Sequence, residues 1–424
     1  MDIATCAAGW LLTAAALACA PGVVRAQPES DTLALAEAVS EARAANPMLR
    51  AARLRADAAF ARVPQAGALP DPMLSFALGN RPLDDFGTGE PMTMNTLSLS
   101  QTLPWPGKLG FAERSEAHRA EAMALSALEL EVWLVSRVKT VYYDIAAMDR
   151  ALAIMEETRE LLREFLDVSN TLYAVGEGLQ ADVLQAQVAV ASLTEDVTAI
   201  EQHRLAMVAR LNALLGRGPE RPVPAVELPE PGNELPDIHG LLTLAAEHRP
   251  ALRAARQRVE AEEAAVRAAH RAIYPNLTLG AGFAQRPRFT DMLTLSVGIS
   301  LPLWAGSRQL PMRDEARVRQ AAEEAAELDL LNETYARIAG ARAESGRARR
   351  LHDLYTTSIV PQARAAVESS LSAYRVGEVD FMTLVQNELT VNRYEIERVR
   401  LTAAYHATVA EIEALIGGPL EDAR

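Results

Sequence analysis

Few side chains of this chain have types and spacings suited to bond chemistry. The seven histidines are scattered, and no pair has metal-ligand spacing on one helix. Met73, Met92 and Met94 lie near the first predicted strand pair and could capture a soft metal, but flexible methionines in an extracellular loop explain them better. No P-loop, G-x-S-x-G or H-E-x-x-H motif occurs. The residues therefore predict no enzyme, no cofactor and no metal site.

The more distinctive charged residues are acids at two similar turns. Glu177 and Asp182 lie in and after the first turn, and Glu378 and Asp380 lie in the second. Acids at helix starts are favoured by the helix dipole, which is the simplest explanation of all four. Because the acids recur in two similar turns, the elements that carry these turns can be compared along the chain.

Those elements occur twice, about 200 residues apart. Four segments of the first half recur in the same order in the second: NPMLRAAR as RPALRAAR, LSLSQTLP as LSVGISLP, YAVGE as YRVGE, and ALLG as ALIG. Ala-rich helices could match by chance, but strand and turn segments would not. The sequence predicts a first structural repeat over 27–218, a Pro-rich linker over 219–236 and a second repeat over 237–424.

Each repeat has one order of elements: a helix, two short strands, a long helix, a Val-Gly-Glu turn and a return helix. The first helices are predicted over about Thr32–Val63 and Ile238–Ile273. The long helices start near Gly107 and Gln309, and the first has no proline before Tyr173. A helix of about 60 residues would be about 90 Å long, which no compact domain needs. The stretch could be one helix or two helices stacked end to end.

The return helix after the first turn has apolar residues at heptad-like spacing. They are Val183, Ala186, Val190, Leu193 and Val197. This pattern predicts long antiparallel hairpins of coiled-coil type. The helices alone would equally suit a soluble coiled coil.

The strands favour a membrane. In Leu293–Leu301 the odd positions are apolar and the even ones are Thr, Ser or Gly; Leu277–Ala284 alternates likewise, and Met73–Gly79 and Thr96–Leu103 do so more weakly. A soluble sandwich alternates too, but its solvated face would be rich in Lys and Glu. Trp105 and Trp304 follow the second strand of each pair, where membrane-interface aromatics would lie.

Four strands cannot close a barrel, and an open edge in lipid leaves backbone groups unsatisfied. Several chains must then each contribute four strands, and three chains would give twelve. The predicted fold class is mainly α with a small β part, in which long helical hairpins join four strands of a shared barrel.

The N-terminus and the charge limit location and partners. Residues 1–26 are predicted as a signal peptide, although Asp2 replaces the usual basic start. Both cysteines, Cys6 and Cys19, lie within it, so the mature chain would have no disulfide, and a lipidated Cys19 is the alternative. No later apolar run has the length of a transmembrane helix. The net charge of −14 argues against nucleic acid as a partner.

Together these segments resemble the outer-membrane efflux protein family, the TolC-like channels. The resemblance covers nearly all of the mature chain and rests on the duplicated order, the strand ends LPWPGKLG and LPLWAG, and the turns YAVGEGLQADVLQAQ and YRVGEVDFMTLVQNE. The second turn resembles the branch that works with heavy-metal pumps. The family implies a homotrimer with a twelve-stranded outer-membrane barrel and a periplasmic helical tunnel.

The resemblance also implies partners and sites. The chain would be the passive exit duct of a tripartite efflux pump, docking to a periplasmic adaptor and to an inner-membrane pump of the resistance-nodulation-division type. The residues expected to meet the adaptor are Val175, Gly176, Glu177, Val376, Gly377 and Glu378. Asp182 matches the family's acidic aperture position, with Asp380 as a second candidate; Thr383 stands at the place equivalent to Asp182. The alternative is a periplasmic coiled-coil adaptor or scaffold, and the exported substrate stays open.

Overall fold

The computed structural model describes residues 33–83, 87–232, 235–376 and 378–420. The predicted signal peptide, with Cys6 and Cys19, lies outside the described residues, as does Gly377. Among the described residues, no helix combines the length and the apolar character that crossing a membrane requires.

Ten α-helices occur in the described part of the chain. They are α1 Leu35–Ala45, α2 Pro47–Phe60, α3 Val63–Gly67, α4 Lys108–Ala174, α5 Gln180–Leu215, α6 Ile238–His248, α7 Pro250–Arg271, α8 Gln309–Leu354, α9 Val360–Arg375 and α10 Phe381–Ile416. The order repeats, as predicted, with α6 and α7 corresponding to α1 and α2, and α10 to α5.

The first helix of each repeat is broken where one continuous helix was predicted. The break falls at Asn46 and Arg249, whose backbones are extended or nearly so. Each precedes a proline, which disfavours helical geometry in the residue before it. Asn46 then starts α2 by accepting hydrogen bonds from the amides of Met48 and Leu49, at 2.9 and 3.1 Å. The repeated Pro thus sets the helix boundary.

The two long helices differ. Helix α4 runs unbroken for 67 residues, about 100 Å. Its counterpart passes through a π-helical turn, Tyr355–Ile359, before α9 begins. Pro361, at the second position of α9, lacks the amide hydrogen that a continuous α-helix would need. The second hairpin is therefore locally irregular where the first is regular.

The strands form one antiparallel sheet in the order β1-β2-β3-β4. Their ranges are β1 Met73–Gly79, β2 Met94–Leu103, β3 Asn276–Gln285 and β4 Met292–Ser300. The strand pairs of the two repeats join through β2 and β3, where Leu97 is opposite Phe283. Strands β1 and β4 are the two open edges.

The helices pack along the hairpins through narrow apolar seams. Val183, Ala186, Leu193 and Val197 of α5 are buried, and Val190 packs partly buried against them, so the predicted spacing is confirmed. Separate clusters pack the first helix of each repeat against the long helices, around Leu134 and Leu211 in the first repeat and around Ile338 and Ile412 in the second.

A buried ion pair joins the repeats. Arg249, 5% exposed, pairs with Glu129 of α4 at 3.0 Å and donates to Thr334 Oγ1 of α8 at 2.5 Å. Glu129 also accepts from the Ala251 amide at 3.1 Å and from the Trp133 indole N–H at 3.0 Å. These contacts fix α4, α7 and α8 against one another.

The predicted linker packs closely along the helices. Val223 and Val226 are buried in the first-repeat cluster. The carbonyl oxygen of Pro229 lies 2.9 Å from His406 Nε2, and that of Pro236 accepts from Arg342 Nε at 3.2 Å. The segment thus connects α5 to α6 as a strap across α8 and α10.

Candidate functional site

The first predicted adaptor-contact turn is a left-handed helix end. Gly176 has φ +80°, and its amide donates to the Tyr173 carbonyl at 3.0 Å while that of Glu177 donates to Leu172 at 2.9 Å. This pattern is a Schellman motif, which glycine favours because a side chain would be strained there. It leaves Val175 and Glu177 exposed at the tip of the hairpin.

The second predicted turn repeats the same hydrogen bond. The amide of Glu378 donates to the Ala373 carbonyl at 2.9 Å, as Glu177 does to Leu172. Val376 and Glu378 are exposed. Gly377 lies outside the described residues. The two turns are therefore equivalent ends of the two hairpins, and both present an exposed valine and an exposed glutamate.

The two candidate aperture residues are not structural equivalents. Asp380 is the N-cap of α10, and its carboxylate accepts from the amide and the hydroxyl of Thr383 at 2.8 and 2.5 Å. These two hydrogen bonds lower the pKa of Asp380 below its ordinary value. Leu179 occupies the matching N-cap of α5 and makes no side-chain cap there.

Asp182, in the first turn of α5, is half-buried. Burial first, and the charge of Asp182 second, raise the pKa of Tyr374 in α9. Asp182 of one hairpin thus lies close to the other hairpin, whereas Asp380 is committed to its own helix end. Their role as an aperture stays a prediction.

An aromatic cluster at the tip was missed by the sequence reasoning. Phe381 is 1% exposed, with its ring centroid 5.8 Å from Tyr374 and 6.3 Å from Phe165 of α4. It joins the second hairpin to the first. The signal was present, since the second repeat has Phe381 at the position where the first repeat has Gln180.

The sheet has one apolar and one small, hydroxyl-rich face. The apolar side chains share one face by register and are exposed in the single chain; they are Leu74, Phe76, Leu78, Leu97, Leu99, Leu279, Phe283, Leu293, Leu295, Val297 and Ile299. Leu295 and Val297 are 76% and 71% exposed. Such a surface is too large and continuous for a water-facing sheet.

The opposite face carries hydroxyls and glycines. Ser75 and Ser98 share a hydrogen bond at 2.7 Å, and Thr102 and Thr278 approach to 3.4 Å. A methyl group on Gly280 would come within 2.4 Å of Ser296 Oγ, so a larger residue there would force that serine to shift. The predicted alternation is present in all four strands, and the polar face is suited to contact with water.

The two predicted interface tryptophans lie at the same end of the strands. Trp105 stacks on Tyr274 with centroids 5.2 Å apart, and Trp304 is 77% exposed in the turn after β4. At this end the strands connect to the long helices. Among the described residues, no group of His, Cys, Asp and Glu could hold a metal ion.

The sequence model of the outer membrane efflux protein family matches residues 38–217 and 241–418. The chain belongs to this family. Each matched segment corresponds closely to one structural repeat, which accounts for the duplicated order.

Individual proteins resemble this chain in sequence or in fold. The pyoverdine export outer membrane protein OpmQ of Pseudomonas aeruginosa is 26% identical over 361 residues, covering 80% of this chain and 71% of that protein. Two solved structures share the fold with a TM-score of 0.79. They are the outer-membrane channel OprN, at 20% identity over 91% of this chain and 90% of that one, and CusC, at 19% identity over 91% and 92%.

The fold and family confirm the predicted class. This chain is an outer-membrane channel protein with the TolC-like fold, mainly α with a four-stranded antiparallel sheet. Its helical hairpins lie on the periplasmic side. The family is one of channels, so the adaptor or scaffold alternative does not apply.

Proposed function

We propose that three copies of this chain close a twelve-stranded barrel and act as the passive exit duct of a tripartite efflux pump. The observation that carries this proposal is the sheet itself, whose apolar face is exposed and whose strands β1 and β4 each have one side without a partner strand in the described part of the chain. In lipid, unpaired backbone groups cost several kcal/mol each, so the edges must meet those of other copies. The hydroxyl-rich face then lines the lumen.

The helices support the same assembly. Helix α4 packs against α2 of its own repeat and against α7 of the other repeat, whereas α8 packs against α7. By repeat symmetry, the second neighbour of α8 is α2 of the next copy. Both helices expose apolar side chains, including Leu54 and Met48 on α2 and Val318 and Leu328 on α8. Burying them between copies would continue the seam.

The hairpin tips are the proposed docking surface for a periplasmic adaptor, which in turn engages an inner-membrane pump of the resistance-nodulation-division type. Val175, Glu177, Val376 and Glu378 are exposed on equivalent turns, so an adaptor could use one binding mode six times around a trimer. Gly176 supports this geometry by its left-handed backbone.

For the aperture, we favour Asp182 over Asp380. The carboxylate of Asp380 is already bonded to Thr383, whereas Asp182 lies between the two hairpins near Tyr374. In a trimer, three Asp182 carboxylates around the axis would form one acidic ring that narrows the passage and favours cations. Asp182→Asn should therefore raise the single-channel conductance or weaken the block of the channel by cations that bind at the ring. Asp380→Asn should change neither property.

The substrate is carried by the partner pump in this proposal, since a passive duct supplies no energy. OpmQ is a pyoverdine export protein, and assignment of the present chain to the heavy-metal branch stays a prediction. Deleting the gene and measuring sensitivity to a panel of metals and drugs tests it. Selective sensitivity to metals would support the branch assignment, and sensitivity to drugs alone would contradict it.

The assembly is tested by native mass spectrometry in detergent together with conductance in planar bilayers. A trimer with stable single-channel currents is the expected result. A monomer that leaves lipid bilayers non-conducting would contradict the proposal.

A further inference from the structure

An apolar groove opens on the sheet next to the Trp105–Tyr274 pair. It has a volume of about 310 Å³ and is lined mainly by Leu103, Pro104, Trp105, Pro275, Leu277 and Ile299. Its walls expose almost only carbon. A groove of this size is at the lower end of ligand pockets and would hold part of one alkyl chain.

The groove is continuous with the lipid-facing side of the sheet. Leu103 is opposite Leu277, and Leu277 is opposite Ile299, so the three side chains form one row across β2, β3 and β4. This row belongs to the apolar face. Two of its strands, β2 and β3, are interior strands, so a second copy joining at β1 or β4 would not cover the groove.

Two cations lie at its rim. The Lys108 ammonium donates to the Tyr274 carbonyl and to Asn276 Oδ1, both at 2.7 Å. The guanidinium of Arg271 lies 5.9 Å from the centre of the Tyr274 ring. Its Nε would be 3.7 Å from a methyl group placed on Gly107. Both cations therefore stand around the same tyrosine.

Neither cation has an acidic partner within the described part of the chain, where most other basic residues of the long helices pair with Glu or Asp. Lys108 keeps one donor beyond the two it uses, and Arg271 keeps its fork of donors. In a chain with a net charge of −14, an unneutralised pair beside an apolar groove is matched to an amphiphile with a negative head.

We propose that this rim is a binding site for an anionic glycerophospholipid of the periplasmic leaflet. Its phosphate would contact Lys108 and Arg271, and one acyl chain would lie in the groove against Trp105. The inference rests on the proposed lipid-facing orientation of the sheet. The periplasmic leaflet is the relevant one because the groove lies at the end of the strands where β2 continues into α4 and α7 into β3, and the helices are on the periplasmic side.

Tryptophan quenching tests the site in the full-length oligomer reconstituted in vesicles. The probes are brominated phosphatidylglycerol and brominated phosphatidylcholine, each at the same mole fraction in unbrominated phosphatidylcholine. The Trp105 contribution is the difference between the wild type and Trp105→Phe, and the Trp304 contribution is obtained likewise. Trp105 should be quenched at least two-fold more by the anionic lipid, and Trp304 equally by both.

Arg271→Gln and, separately, Lys108→Gln should remove the preference at Trp105. Arg114→Gln is the matched control. The guanidinium of Arg114 lies over the ring of Phe111 rather than that of Tyr274, so this substitution should leave the preference unchanged. Equal quenching of Trp105 by both lipids, or a preference that survives both substitutions, would overturn the inference while leaving the channel proposal intact. Absence of quenching at Trp304 as well would instead contradict the lipid-facing orientation.

Discussion

Asp380 caps helix α10 through two hydrogen bonds from Thr383, while the matching positions of the first hairpin hold Leu179 and Asp182. The acid is thus the third residue of α5 in the first hairpin and the N-cap of α10 in the second. The two turns share backbone geometry but present different charges. In the second hairpin the acid caps its own helix, whereas the N-cap of α5 has no side-chain cap and Asp182 lies close to Tyr374 of the other hairpin.

Asp380→Ala should loosen the start of α10, because the capping oxygens are lost. Asp380→Asn should retain the cap, since an amide oxygen can accept the same bonds. Because the folded pKa of Asp380 is lowered, its contribution to stability is present above its ordinary pKa and is lost as pH falls through the folded value. Hydrogen exchange of the Thr383 amide measures this directly. Equal protection in the wild type and in Asp380→Ala would refute the capping role.

Phe381→Ala should separate the two hairpins at their tips. Removal of a fully buried phenylalanine costs about 3–5 kcal/mol, and the Tyr374 and Phe165 rings lose their shared partner. Limited proteolysis at the turns should become faster, whereas Phe381→Leu should have a smaller effect. Unchanged cleavage in Phe381→Ala would show that the cluster does not hold the tip.

Arg249→Ala should be strongly destabilising. Breaking a buried ion pair leaves Glu129 uncompensated and costs about 3–5 kcal/mol. A double-mutant cycle with Glu129→Gln, read by thermal unfolding, should give a coupling energy of about 1–3 kcal/mol. Arg253→Ala, at an exposed position of the same helix, serves as control. Additive effects of the two substitutions would contradict a direct pair.

Acid should weaken the packing of the inter-repeat strap. Burial lowers the pKa of His406, whose ring stacks on Tyr143 at 4.6 Å and lies against the Pro229 carbonyl. A lowered folded pKa means that the unfolded state binds the proton first, so stability falls as pH drops below about 6.5. Glu230 opposes this shift but does not reverse it.

His406→Gln should reduce the acid sensitivity of the melting temperature between pH 7.5 and 5.5. His239→Gln, at an exposed position, should leave the pH profile of the wild type unchanged. A wild-type melting temperature that is constant over this range would show that His406 does not titrate in the way proposed.

The sequence was sufficient for the architecture because its signals are periodic. Alternation identified all four strands, and the heptad spacing of α5 identified the residues that are buried, from Val183 to Val197. The repeat itself located both turns. These features depend on local pattern, which one sequence displays fully.

Features that depend on contacts between distant segments could not be derived. The contact of Arg249 with Glu129 joins positions 120 residues apart, and no local pattern indicates it. The π-helical turn at Tyr355–Ile359 also has no local signature beyond Pro361. The sequence offered the helix dipole as the simpler explanation of Asp380, and the hydrogen bonds from Thr383 place its carboxylate at the helix start as an N-cap.

In the proposed assembly, one face of the sheet meets lipid and the other lines a water-filled lumen. Adjacent residues on β4 test it, because Ser296 and Val297 point to opposite faces and the mature chain is predicted to contain no cysteine. Single-cysteine variants at each position are exposed to a charged, membrane-impermeant thiol reagent in reconstituted channels. Ser296→Cys should react rapidly and Val297→Cys should be protected. Equal reaction at both positions, or the reverse order, would contradict this orientation of the sheet.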